Sequence, residues 1–222
     1  MVRTIRDLTP ALGVSTAAAL ALMTICLDAY DARPVVERWL SASEYSPIPI
    51  SAENHAASFG DLNVAVETST GQHINLAATR GRVRIATMFY AHCPTMCPLV
   101  VETLKGIDGH LTATERSKLS VLLLSLDPSR DTPAVLRGFG TDRNVDSNRW
   151  LLARTASQDV GRVARALGIA HDEAMAGVIN HTPVLVLLDA KGKELARSEK
   201  LSVPDAQFIA AVRQAIAADA RI

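Results

Sequence analysis

The chain has 222 residues, 48% of them apolar and 21% charged. That composition fits one packed domain of roughly 150–200 residues plus a tail and excludes wholesale disorder. Its 23 Lys and Arg balance its 23 Asp and Glu, and no basic run breaks the neutrality, so there is no field to hold nucleic acid by its phosphates. Three cysteines, Cys26, Cys93 and Cys97, are too few for a disulfide-stapled scaffold, and the close spacing of the last two points to local chemistry instead.

The N-terminus carries Arg3 and Arg6 and then no charge from Leu8 to Leu27. That run matches the length of about 20 residues needed to cross a bilayer and is also compatible with a long signal-peptide core. Positive charge before it places the following domain outside the cytoplasm. Leu27-Asp28-Ala29 is a poor small-x-small cleavage site, which favours a retained anchor over a cleaved signal. Met23-Thr24-Ile25 lacks the small residue expected before a lipidated cysteine, so Cys26 reads as a membrane-buried thiol with no role. We therefore expect an anchor or signal over 1–29, a tether over 30–57 containing Pro34, Pro47 and Pro49, and a folded domain over 58–222.

Within that domain the alternation around Thr70-Gly71 predicts a hairpin over about 62–76. "GRVRIATMFY" (81–90) and "KLSVLLLSLD" (118–127) read as buried strands, too apolar on both faces for an edge. Between them "PLVVETLKGIDGHL" has apolar residues at helical spacing. Thr132 predicts an N-cap with Pro133 at the first helical position, and "NRWLLAR" is a short strand. "SQDVGRVARALGI" predicts an amphipathic helix capped by Ser157 and closed at Gly168. Residues 182–198 predict a strand, a turn at Lys191-Gly192 and a more polar strand, and "PDAQFIAAVRQAIAA" a closing helix. The order is a hairpin, then β-α-β-α-β-α, then a hairpin and a helix. It predicts a three-layer α/β fold of the thioredoxin-like plan, with a central, mainly parallel sheet, an antiparallel edge hairpin and an N-terminal β-hairpin extension.

Cys93 and Cys97, in "YAHCPTMCPL", fall where a buried strand ends and a helix begins, the place where sites gather in open α/β sheets. A helix N-terminus favours thiolate, and spacing of i,i+4 on a helix puts both sulfurs on one face. Pro98 either kinks that helix or lies at its true start. The pair can converge on a soft ion, to which copper(I) is suited, or oxidise to a disulfide. A two-sulfur metal site usually recruits a third ligand. Among six histidines, His55, His73 and His110 read as surface residues, His171 as solvent-facing in a polar loop, and His92 as diverging from its neighbour Cys93. His181 lies immediately before a buried strand in "INHTPVLVLLD", in a loop that faces the cysteines in a thioredoxin-like fold, and is the candidate imidazole ligand.

Three ordered motifs, "YAHCPTMCP", "LSLDPSRDTP" and "INHTPVLVLLDAKG", resemble the Sco/SenC family of copper-binding assembly factors over about residues 58–218. The resemblance implies a thioredoxin-like domain, usually membrane-tethered, on the periplasmic or intermembrane-space side. It implies copper ligands at Cys93, Cys97 and His181, and a role in maturing the binuclear copper site of cytochrome c oxidase by delivering copper, reducing thiols, or both. The partner is then a copper-accepting oxidase subunit or another copper or thiol protein. Departures from the pattern are Met88, Phe89, Ala91 and Thr95 around the cysteines, with no acidic residue between them, and Asn180 where an Asp commonly precedes the histidine. The tyrosine usual before that histidine is also missing.

Thr182-Pro183 resembles the cis-proline of thioredoxins, which keeps a thiol–disulfide oxidoreductase open as an alternative, beside a copper or redox sensor. A peroxidase lacks its cysteine motif here. Asp127, Arg130 and Asp131 read either as turn and capping residues or, through Asp127, as a group supporting the site or facing a partner.

Overall fold

Val83–Phe89 (β3) and Leu119–Ser125 (β4) are largely apolar runs that pair in parallel at the centre of a seven-stranded sheet. Every residue of β3 is buried, which requires cover on both faces of the sheet. The computed structural model describes residues 59–93, 96–173, 178–203 and 205–219. The expected anchor, the tether, Cys26 and His55 lie outside them. No helix among the described residues is long and apolar enough to cross a membrane.

The N-terminal hairpin is Ala65–Thr68 (β1) with His73–Asn75 (β2), and Trp150–Thr155 is β5. Leu185–Leu188 (β8) and Glu194–Ser198 (β9) form the late hairpin. The sheet runs β2-β1-β5-β4-β3-β8-β9, with β5, β4 and β3 parallel and the hairpins antiparallel on either side. This is the three-layer thioredoxin-like arrangement that the element order predicts. The β8–β9 turn holds because Asp189 Oδ1 accepts the N–H groups of Lys191 (2.8 Å) and Lys193 (2.9 Å), while Gly192 takes a φ of 87°. Gly60 packs so closely beneath it that an added Cβ would lie 1.9 Å from the Lys191 carbonyl oxygen.

Helix α1 (Met96–Gly109) follows the cysteine turn, and Pro98 occupies its first turn, where no N–H is needed, so no kink is required. Helix α2 (Ala113–Lys118) opens on a capping box of Thr112 and Glu115, an element the sequence reading does not anticipate. Helix α3 (Pro133–Asp142) has Thr132 as N-cap and Pro133 at its start, as expected. Its Phe139 ring meets Phe89 of β3 at 4.8 Å. Helix α4 (Ser157–Leu167) closes at Gly168 in the left-handed conformation. Its N-cap, however, is Ala156, with no side-chain cap bond, because Ser157 is already inside the first turn. Helix α5 (Ala206–Asp219) joins α1 and α2 through Arg213, which pairs with Glu115 at 3.5 Å and donates to the His110 carbonyl.

A second, two-stranded sheet corrects the reading of 171–181. His171–Glu173 (β6) pairs antiparallel with Ile179–His181 (β7), so His171 is not in a free loop but directly opposite His181. No peptide bond among the described residues is cis, so the Thr182-Pro183 bond does not reproduce a cis-proline.

Candidate metal centre

The sheet delivers its central strand to the cysteines. After Phe89 the chain turns, Cys93 N–H donating to the Tyr90 carbonyl at 3.2 Å, and α1 begins at Met96. Cys93 lies before the helix rather than on it, yet the sulfurs are neighbours. The Cys97 N–H donates to Cys93 Sγ at 3.4 Å, so that sulfur takes up one of the unpaired amides of the helix N-terminus. The Tyr90 N–H in turn donates to Cys97 Sγ at 3.3 Å. Neither is in a disulfide, and both are buried, Cys93 7% exposed and Cys97 0%.

Burial decides the state of Cys97. The helix N-terminus was expected to favour its thiolate, and the Tyr90 amide does so, but desolvation pushes the thiol well above its usual range, with Cys93 and Asp131 adding to the rise. A sulfur held protonated in this way is a poor attacking nucleophile, yet it can give up its proton to a metal.

His181 brings a nitrogen donor to the same place. Its ring lies edge-on to Tyr90, centroids 6.3 Å apart, and its Nδ1 is buried without a hydrogen-bond partner. Burial lowers its pKa, as does His171 across the ribbon, while the Thr182 backbone opposes the shift. The imidazole therefore stays neutral at neutral pH, the form that ligates metals. A buried, unpaired ring nitrogen is costly in a protein that never fills it.

Tyr90 joins these parts. It is 3% exposed, and its phenol pKa is raised, chiefly by burial, with the Cys93 thiol adding to the rise. Beneath the turn lies Asp131, 0% exposed, whose carboxylate accepts the Ser125 hydroxyl at 2.6 Å and the Ala91 N–H at 3.2 Å. Its pKa is raised by burial, against those two hydrogen bonds. In "LSLDPSRDTP" it is therefore Asp131, not Asp127, that supports the cysteine turn. Asp127 does turn chemistry, accepting from Ser129 and Arg130. The signal for Asp131 was its place in "LSLDPSRDTP", but only the packing distinguishes the two aspartates.

The other histidines separate cleanly. His92 Nδ1 stands 3.8 Å from Asp131 with its side chain 55% exposed. His73 faces Glu67 at 3.8 Å, and exposed His110 bonds its own helix at the Gly106 carbonyl. Among the described residues, no three His, Cys, Asp or Glu side chains are gathered closely enough to hold a metal ion. Cys93, Cys97 and His181 are thus linked through Tyr90 rather than already convergent. The donor set itself, two sulfurs and a neutral imidazole, suits a soft or borderline ion.

Comparison with known proteins agrees with this plan. The SCO1/SenC family model matches residues 61–217. The SCO1 homologue of Bacillus subtilis is 27% identical over 94 residues, which is 40% of this chain and 48% of that protein. The mitochondrial protein SCO2 of Saccharomyces cerevisiae is 33% identical over 63 residues, 28% of this chain and 21% of its own. The chain thus spans about half or less of the length of these relatives. Among solved structures, a SCO1/SenC family lipoprotein from Bacillus anthracis superposes with a TM-score of 0.61 at 20% identity, covering 69% of this chain and 96% of its own. The copper-bound ScoI of Arabidopsis thaliana gives 0.56 at 15% identity, covering 71% and 96%. A family model matched over residues 61–217, on a fold that brings the paired cysteines and the distant histidine to one tyrosine, makes this chain a member of the SCO1/SenC family.

Proposed function

We propose that the protein is an extracytoplasmic copper chaperone that carries one copper ion on Cys93, Cys97 and His181 and hands it to a copper-accepting protein, the binuclear copper site of a cytochrome c oxidase being the target the family implies. The observation that carries this reading is the buried, unpartnered Nδ1 of His181 near two buried thiols that are not joined in a disulfide. Copper is the cargo. The two sulfurs would hold it as thiolates, and the imidazole nitrogen would add the donor that copper(II) requires more than copper(I). Loading releases the thiol protons, and the depressed pKa of His181 means that this residue needs no deprotonation near neutral pH. We further propose that residues 8–27 tether or export the domain to the far side of the membrane.

A thiol–disulfide oxidoreductase is the second reading, since the cysteines are close enough for one backbone amide to contact the partner's sulfur. The raised pKa of Cys97 counts against that sulfur as the attacking group. His181→Ala separates the two readings. A chaperone loses most copper(II) affinity, keeps copper(I) binding on two thiolates, and still forms and reduces the Cys93–Cys97 disulfide. Unchanged copper(II) affinity with collapsed thiol exchange assigns His181 to redox chemistry and removes the chaperone reading.

A further inference from the structure

The strand that carries His181 pairs it with a second histidine. In the β6–β7 ribbon His171 stands directly opposite His181. The Thr182 N–H donates to the Ala170 carbonyl at 2.9 Å, so residues 170 and 182 are a hydrogen-bonded pair and the next pair, 171 and 181, is not. Partners of that second kind stand closest, side chains on one face and Cβ atoms roughly 4.5–5.5 Å apart. Burial identifies the face. His171 and His181 are half-buried and Ile179 is buried, whereas Asp172 and Asn180, which alternate with them, are exposed. It is also the face that lays the His181 ring against Tyr90, 6.3 Å between centroids. Resting on the Cys93, Cys97 and His181 reading, we propose that His171 is the fourth donor of the copper(II) form, a second imidazole presented beside His181 by the ribbon.

Copper(I) is satisfied by two thiolates, whereas copper(II) takes a tetragonal set of four donors. Cys93, Cys97 and His181 supply three. A cross-strand imidazole suits the fourth position. Two nitrogens each about 2 Å from one ion lie about 3 Å apart, which rings on Cβ atoms roughly 5 Å apart can reach. His171 also has room to turn. With Leu126, Asp127, Pro128, Ser157 and Ile179 it lines a cavity of about 360 Å³ between the ribbon, the turn after β4 and the start of α4. That room matters because, among the described residues, the donors are not yet gathered round one point, and an ion must draw them in. His92 is the rival imidazole. It adjoins Cys93, but its Nδ1 faces Asp131 at 3.8 Å and its side chain is 55% exposed. His171 instead shares a strand pair with a ligand already placed.

The test uses the reduced full chain in detergent, titrated with copper(I) or copper(II) against chelators of known affinity. Pulsed electron paramagnetic resonance of the copper(II) form then counts bound imidazoles from their remote nitrogens. The parent is expected to show two, and His171→Ala one. His171→Thr, which keeps a residue suited to a strand, is expected to match His171→Ala and guards against a variant that fails to fold. Copper(II) affinity should fall at least about tenfold in both, the lower end of what is lost when a residue that merely supports a metal ligand is removed. Copper(I) affinity stays within about twofold, since the thiolates are untouched. A single imidazole in the parent overturns the proposal. So does a count of two that survives in both variants, which assigns the second nitrogen to another histidine such as His92. An equal loss of both copper states with the count unchanged marks a merely structural role and also overturns it. Failure of the proposed function is distinguishable: copper then survives loss of both cysteines, or the imidazole count is unchanged in His181→Ala, and both proposals fall.

Discussion

Asp131→Ala probes the support under the cysteine turn. The carboxylate is 0% exposed and accepts the Ser125 hydroxyl at 2.6 Å and the Ala91 amide at 3.2 Å, Ala91 standing two residues before Cys93. Truncation leaves two buried donors facing an empty space, at about 1–3 kcal/mol for each group left unmade. Part of this is offset because a carboxylate whose pKa is raised by burial was costing stability while ionised. We expect a net loss of about 2–4 kcal/mol at pH 7, or roughly 5–15 °C in Tm for a domain of this size. Asp131→Asn retains one oxygen for both donors and removes the buried charge, so its cost is about 1 kcal/mol or less. The two variants also differ from the parent in pH dependence. Because the folded pKa lies above the ordinary value of 3.8, the parent's Asp131 term is most favourable at low pH and is lost as pH rises through the folded value. Neither variant has that term. Urea unfolding followed by circular dichroism, on the domain from Ala52 onward, measures both effects. A loss below about 1 kcal/mol in Asp131→Ala, or equal losses in the two variants, refutes the claim that this carboxylate holds the turn.

Phe139→Ala, which removes a ring 4% exposed and 4.8 Å from Phe89, is expected to cost about 3–5 kcal/mol in thermal or urea unfolding. Gly60→Ala places a methyl 1.9 Å from the Lys191 carbonyl oxygen and is expected to cost about 1–3 kcal/mol, since backbone must move. In metal-free protein, His181 has a folded pKa below its ordinary 6.5, so the unfolded chain takes up the proton first. Stability is then expected to fall as pH drops from 6.5 toward the folded value, and His181→Ala flattens that slope in unfolding curves taken across the window. Expressed whole, the protein is expected to fractionate with membranes, with a reporter on the domain outside the cytoplasm; a cytoplasmic reporter contradicts the tether.

Much of the fold was legible because its signals are local. The largely apolar runs of β3 and β4, Thr132 with Pro133, Gly168 and the turn at Gly192 each announce their own geometry. Cys93, Cys97 and His181 stood out in the sequence as candidate ligands, from spacing and from their places at strand and helix ends. What escaped depends on contacts distant in sequence. The ribbon of β6 and β7 has only three residues a strand and reads "HDE" and "INH", which carry no periodicity, so the pairing of His171 with His181 could not be seen. The roles of Asp131 and Asp127 are exchanged by one turn of packing. Tyr90 looked like the last residue of a buried strand, and its contacts with Cys97 and His181 appear only once their segments are folded against it. The Thr112–Glu115 capping box was present in the sequence and marks α2 without any tertiary information.

The central claim is that the two thiols bind copper, and metal analysis of the reduced, purified domain tests it most directly. Copper added in excess and then removed from solution by desalting should leave one ion per chain in the parent protein. The Cys93→Ser and Cys97→Ser variants should each lose most of it, and the double variant all of it, while thermal unfolding shows each protein still folded. Binding in the parent should weaken as pH falls, since thiolates and a neutral imidazole are required. Copper retained at one ion per chain by the folded double variant would contradict the account, because the cargo would then lie somewhere other than at the end of β3.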